Sequence, residues 1–239
     1  FIGPLALLLP GLLSGAWQRG RRFPEQETGL RGWGWIGWLP LAWVGGTLAM
    51  YALRLPVTYQ HGRYLIPVIP TLLVYGVGGT LDLVDAARRP APARVLARTL
   101  LIAAALLFPA FWATIGAPAY ATDVAIIEGE MVTVAHWIND QTAPDALIAA
   151  HDIGAIGYFA RRPLLDMAGL VSPEVIPFIR DEEAIMGWLE EREADYLVTF
   201  PTWYPELTAD PRVEMVFQTD TAVTRAQGEE NMAVYALKW

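Results

Sequence analysis

The chain has 239 residues, is 54% hydrophobic and has no cysteine; its mean hydropathy is +0.32, too apolar for an ordinary soluble enzyme. Without cysteine, disulfides, a thiolate nucleophile and a cysteine metal site are all excluded. The net charge of −8 is divided: residues 1–117 carry ten Arg against four acids, and residues 118–239 carry six Arg and one Lys against twenty-one acids, so a basic apolar half and an acidic half are expected in different solvents, and the acidic half excludes nucleic acid as a partner.

Residues 1–17 are uncharged and read as the tail of a transmembrane helix, in a piece of a longer protein. Arg19, Arg21, Arg22 and Arg31 follow in a polar turn. Residues 32–53 are again uncharged, long enough to cross a hydrocarbon core of about 30 Å at ~1.5 Å per residue. Trp33, Trp35 and Trp38 stand where an interfacial aromatic belt would lie. A loop from Arg54 to Arg63 leads to a third span, about 64–81, that opens on Pro67 and Pro70. Prolines are tolerated in a first helical turn, where their missing N–H groups cost least. Asp82 and Asp85 end it as cap and interface residues. A second basic loop holds Arg88, Arg89 and Arg94, and a fourth span covers about 98–117, with a kink expected at Pro109.

The loops 18–32 and 86–98 hold four Arg each, whereas the loop between the second and third spans holds Arg54 and Arg63. The excess of Arg places the two richer loops in the cytoplasm. The Arg54–Arg63 loop and everything after Ala117 then lie outside. From Pro118 the composition becomes that of a soluble α/β domain, residues 118–239. Val124, Ile127, Met131, Val134 and Ile138 predict a helix over 122–141. Strands are predicted at Asp145–His151, Leu164–Asp166, Tyr196–Phe200, Val213–Gln218 and Met232–Leu237. Helices are predicted at Pro173–Ile179 and Glu182–Glu193, and Asp152 is placed to cap another. This alternation favours a mostly parallel sheet with an antiparallel edge from the last two strands. The predicted fold class is a membrane all-α region of four transmembrane helices followed by a soluble α/β domain.

Arg63-Tyr64-Leu65-Ile66-Pro67-Val68-Ile69-Pro70, at the head of a late span, resembles the extracytoplasmic "RY-x-x-P-x-x-P" of bacterial GT-C glycosyltransferases. These are relatives of the protein O-mannosyltransferases and of the aminoarabinose transferase that modifies lipid A. The segments Ala135-His136-Trp137-Ile138, Pro144 to Tyr158 and Leu165-Asp166-Met167-Ala168-Gly169-Leu170 resemble the C-terminal extracytoplasmic domain of such proteins. The resemblance covers the family's C-terminal half. It implies an inverting transfer from a polyprenyl-phosphate sugar to an acceptor outside the cytoplasmic membrane of a bacterium, with membrane lipid as the surrounding partner. It also implies that the acidic general base sits in the first extracytoplasmic loop, so no catalytic residue is assigned here and this piece alone is expected to be inactive.

The residues themselves leave two readings of the loop. Arg63 is either an interfacial anchor snorkelling to headgroups or a guanidinium that holds two phosphate oxygens of the donor. The resemblance favours the phosphate role, with His61 as a second donor and Tyr59 as a hydrogen-bonding neighbour. In the α/β domain Trp203 and Tyr204 form an aromatic turn, suited to stacking on an acceptor or to docking. His151, Asp152, His136 and Asp166 do not make a convincing metal set, because strand neighbours point to opposite faces; no metal and no cofactor is assigned. Gly154 and Gly157 after Asp152 read as helix–sheet packing, without a phosphate-loop pattern. Glu182, Glu183, Glu190, Glu191 and Glu193 read as a solvated helix face. The alternative to the enzyme is a non-catalytic membrane protein whose exported domain binds a glycan or a protein.

Overall fold

A computed structural model describes residues 3–22, 33–54, 60–85 and 90–239. The chain forms two compact units, Phe1–Pro118 and Ala119–Trp239. Among the described residues three helices are long and apolar enough to cross a membrane: Ile36–Arg54, Gly62–Asp85 and Ala91–Gln141. The described helices of the first unit are α1 (residues 3–22), α2 (33–54), α3 (60–85) and the start of α4 (Ala91–Gln141). The basic turn at 23–32 and the Arg88–Arg89 pair lie outside the described residues, as do the side chains of Trp33 and Trp35.

The apolar periodicity of these helices is used on two sides. Inward, Leu12 of α1, Val44 of α2 and Val68 and Leu72 of α3 form one buried cluster. Leu5 and Leu8 of α1 meet Ala104 of α4 in a second. Outward, Trp43, Leu53, Val74, Ile102, Leu106 and Ile115 stay exposed, the pattern of helices whose second apolar face meets lipid rather than protein. The α1–α3 crossing is backbone to backbone. A Cβ added at Gly79 would lie 2.0 Å from the Gly11 carbonyl oxygen, and one at Gly11 would lie 2.3 Å from that of Gly76. Buried Thr80 donates its hydroxyl to the Gly76 carbonyl at 2.7 Å, so this hydroxyl is satisfied within its own helix.

The prolines of the third span open its helix, as the sequence predicts. The chain turns at Gly62, which has φ 66°, a left-handed conformation that glycine adopts without a steric penalty. A 3-10 stretch, Gln60–Val68, leads in, and Pro70 sits in the first turn of the α-helical part. In a 3-10 pattern Pro70 has no N–H to give to the Pro67 carbonyl. The indole of Trp43 supplies one instead, at 3.2 Å.

The two units divide after Pro118, but the helix break expected there is absent. Rather than a span ending at 117 and a new helix at 122, α4 is one run of 51 residues. The Pro118 ring would press on the Thr114 carbonyl four residues back. The helix widens into a π turn over Trp112–Gly116, which makes room for the ring.

The second unit is a single five-stranded sheet of β1 (Ile148–Ala150), β2 (Leu164–Asp166), β3 (Tyr196–Thr199), β4 (Val213–Gln218) and β5 (Ala233–Leu237), in the order β2-β1-β3-β5-β4. β1 is parallel to β2 and β3, whereas β5 is antiparallel to β3 and β4. The sheet is therefore mixed. The antiparallel edge is present, but β5 inserts between β3 and β4 and brings a second antiparallel pairing with it. Alternate residues serve two cores. Ala149, Leu165, Leu197 and Tyr235 pack against α6 (Glu182–Glu191). Ile148, Ala150, Val198 and Val234 pack against the end of α4 and α5 (residues 153–160). The domain is thus a sheet with helices on both faces. Arg162 closes the end of α4, donating to the carbonyls of Asn139 (2.7 Å) and Thr142 (2.9 Å) that the helix leaves free.

Candidate functional site

Of the residues assigned to the donor phosphate, Tyr59 lies outside the described residues. His61 is helical in its backbone, and its side chain lies outside what is described. Arg63 stands in the first turn of α3 with its guanidinium exposed. Its Nη2 donates to the Tyr64 hydroxyl at 3.3 Å, and its Cζ lies 5.1 Å from the centre of that ring. Tyr64 in turn stacks on Tyr51 of α2, centroids 5.2 Å apart. The cation is held sideways by aromatic surface, and among the described residues no carboxylate neutralises it. Such a guanidinium keeps most of its five N–H donors for an anion.

The second site is in the sheet. β1 leads through α5 to β2 on one side, while β3 lies on the other side of β1 and leads away towards β4. Between the carboxyl ends of β1 and β3 the chain therefore departs in opposite directions, and in open α/β sheets ligands bind in the crevice that this leaves. His151 follows β1; Trp203 and Tyr204 follow β3. They meet across the crevice: His151 Nδ1 is 2.7 Å from the Tyr204 hydroxyl. The Trp203 ring lies edge-on to His151 at 5.1 Å. His151, Trp203, Tyr204, Ile179, Arg180 and Glu182 line a cleft of about 430 Å³.

Electrostatics fix the state of the floor. Burial pushes the Tyr204 phenol up to about 12, and the nearby charges of Glu182, Asp152 and Asp166 add to it. Tyr204 therefore keeps its proton at neutral pH, and its hydroxyl engages Nδ1 of the imidazole as donor or as acceptor. The other imidazole nitrogen, Nε2, takes the complementary role: a donor where Tyr204 donates to Nδ1, an acceptor where Nδ1–H donates to Tyr204. Asp152 sits at the helix position the sequence assigned to it, but its side chain makes no capping hydrogen bond. Burial raises its carboxyl, and the charge of His151 partly offsets this. Asp166 is structural: buried, it accepts the N–H groups of Ala168 (2.8 Å) and Val171 (2.6 Å) and fixes the loop behind β2. His136 stands apart, against Phe159. Among the described residues no three His, Asp or Glu side chains gather as a metal set.

Two features escaped the reading of the sequence. Glu182 is more than part of a solvated face: it accepts the Leu207 N–H at 2.8 Å and forms one wall of the cleft. Glu190 likewise pairs with Arg212 at 3.0 Å. Glu130 of α4 is fully buried. It accepts hydrogen bonds from the hydroxyls of Thr219 and Thr224, from Asn231 Nδ2 at 2.7 Å and from the Met232 N–H at 2.9 Å. A signal for it exists, because Glu130 is three residues after Ile127 and four before Val134, inside the apolar stripe of the helix.

Residues 123–235 match a family described as "Domain of unknown function (DUF8728)". The match falls in the sheet-bearing unit and covers less than half of the chain. No curated protein matches the chain.

Proposed function

We propose that the chain is the C-terminal part of an integral membrane glycosyltransferase, moving a sugar from a polyprenyl-phosphate donor to an extracytoplasmic acceptor. The observation that carries the reading is Arg63. It is an exposed guanidinium at the head of a hydrocarbon-length helix, braced by Tyr64 and unneutralised by any described carboxylate. Transfer leaves new negative charge on the lipid phosphate, and a planar fork of N–H donors holds two of its oxygens at once. His61 and Tyr59 complete the phosphate end. The base that activates the acceptor is supplied from upstream, and no cofactor takes part.

In this reading α1 to α4 are four spans in the cytoplasmic membrane of a bacterium. The close glycine contact of α1 with α3 supports counting α1 among them. The α/β domain, its sheet parallel on the β2-β1-β3 side, stands outside.

The test is donor binding and transfer by the full-length protein. Arg63→Ala is expected to lower both by about 30-fold or more, the worth of roughly 2 kcal/mol of charge-assisted hydrogen bonding. Arg63→Lys, which keeps the charge and loses the fork, falls between. Normal transfer and donor binding by Arg63→Ala would make Arg63 a plain interfacial anchor.

The cleft between β1 and β3 favours a second reading, a non-catalytic protein whose exported domain binds a glycan or a protein. An acidic residue in the first extracytoplasmic loop of the full-length protein supports the enzyme; a loop without one supports the binder.

A further inference from the structure

We propose that the cleft at the carboxyl ends of β1 and β3 is a binding site for a neutral sugar ring. The ring would be stacked on Trp203 and held by His151, Arg180 and Glu182. The proposal deepens the functional reading above by giving the acceptor a seat, and rests on it only for the name acceptor.

The first argument is the indole. Trp203 follows a buried strand yet keeps 43% of its surface exposed. It lines the cleft, and also a smaller hollow of about 220 Å³ with Ile126, Met131 and Phe200. It therefore stands as a wall between two depressions rather than filling the core. Its position is fixed by ring contacts to Phe200 at 4.9 Å and to His151 at 5.1 Å. A rigid, partly exposed indole offers an electron-rich face, and the C–H face of a pyranose carries the matching positive edge.

The second argument is the polar rim. A sugar hydroxyl both donates and accepts, so its site needs groups of both kinds. Arg180 is exposed and makes no hydrogen bond or ion pair among the described residues, and His151 has Nε2 left for a sugar hydroxyl, because the Tyr204 hydroxyl engages Nδ1. Glu182 uses one carboxylate oxygen on the Leu207 N–H and keeps the other as an acceptor. Asp181, between Arg180 and Glu182, accepts the Ala184 N–H at 3.0 Å and caps α6. Both wall residues thus spring from a fixed helix start.

The third argument is charge and size. The cleft holds one Arg and one Glu, in a half of the chain with twenty-one acids against seven bases. That field disfavours anionic ligands such as phosphates and nucleic acids. About 430 Å³ is within the range of small-molecule sites, roughly 300–1,000 Å³.

The test uses the full chain in lipid nanodiscs and ligand-observed saturation-transfer NMR. The probes are the methyl glycosides of glucose, mannose, galactose and N-acetylglucosamine, with glucuronate as the anionic comparison. At least one neutral glycoside is expected to receive saturation on its ring C–H protons. Trp203→Ala should weaken that binding tenfold or more, with the thermal midpoint retained as the check on folding. Arg180→Gln, at an exposed side chain, should weaken it several-fold. Silence of all four glycosides, equal binding by Trp203→Ala, or tighter binding of glucuronate would each overturn the proposal. Arg63→Ala separates the two readings: it should impair transfer and leave glycoside binding unchanged, whereas glycoside binding that disappears with Arg63→Ala does not belong to this cleft and also overturns the proposal.

Discussion

Glu130 shows how one residue ties distant parts of the chain. Its carboxylate collects hydrogen bonds from residues roughly ninety to one hundred positions later, in the segments that flank the short helix Ala222–Ala226 and in that helix itself. It stands on the sheet-bearing end of α4, beyond the uncharged stretch between Arg98 and Asp123. Burial pushes its carboxyl up. The hydrogen bonds from Thr219, Thr224, Met232 and Asn231 together outweigh that and hold it below its ordinary value of 4.5. A carboxylate with a depressed folded value contributes stability that is fully present above the unfolded value and is lost as pH falls through the folded one. Thermal unfolding of the protein should therefore show an acid limb below about pH 4.5 that Glu130→Gln reduces. Glu130→Ala strands several buried donors, each worth about 1–3 kcal/mol, and should lower stability by about 3 kcal/mol at neutral pH. A pH-independent midpoint for the unaltered protein, or a neutral Glu130→Ala, would remove the residue from this role. The sequence pattern placed a helix here, but period alone does not say that a glutamate in an apolar stripe has four donors waiting. Those donors come from residues whose arrival depends on the fold.

At the scale of elements, the α1–α3 crossing is decided by missing side chains. Gly11 and Gly15 are four residues apart on α1, and they face Gly76, Gly79 and Thr80 on α3. Small residues at that spacing let two helix backbones approach where lipid gives no hydrophobic drive for association. Gly79→Ala should separate the helices, since even its Cβ would lie 2.0 Å from a carbonyl oxygen. The expected cost is about 1–3 kcal/mol of overpacking, seen as a lower midpoint of thermal aggregation in detergent. Gly45→Ala and Gly46→Ala on α2, where nothing lies within 4 Å, should be neutral or slightly stabilising, by up to ~1 kcal/mol of helix propensity. Equal effects at Gly79 and Gly45 would show that the close approach carries no energy. The glycine spacing was visible in the sequence. Its partner was not, because a small residue in an apolar run is equally at home facing lipid, a neighbouring helix or a ligand.

For the molecule as a whole, the outward apolar faces of α2 to α4 require covering. The protein should stay with the membrane fraction after alkaline carbonate washing. The Arg-rich turns flanking the spans predict that a phosphatase fused behind Trp239 is active outside the cytoplasm and that a fluorescent protein fused there stays dark. The reverse result would invert the orientation and remove the site of Arg63 from the side on which the transfer is proposed.

The sequence by itself determined three membrane-length helices, the change from basic apolar to acidic mixed composition, the proline-bearing opening of α3 and the positions of all five strands. These follow from local quantities: runs of apolar side chains, the alternation of two and 3.6, and the fixed φ of proline. Only the tertiary structure decided that α4 runs unbroken past Pro118, that β5 enters the sheet between β3 and β4, and that Glu130 is buried. It also brought His151, some fifty residues before Tyr204, to within 2.7 Å of its hydroxyl. Strand order sets those pairings, and strand order is a property of how the cores close rather than of any one segment. For that reason the aromatic turn at Trp203 was legible as exposed chemistry, while the cleft it lines was not.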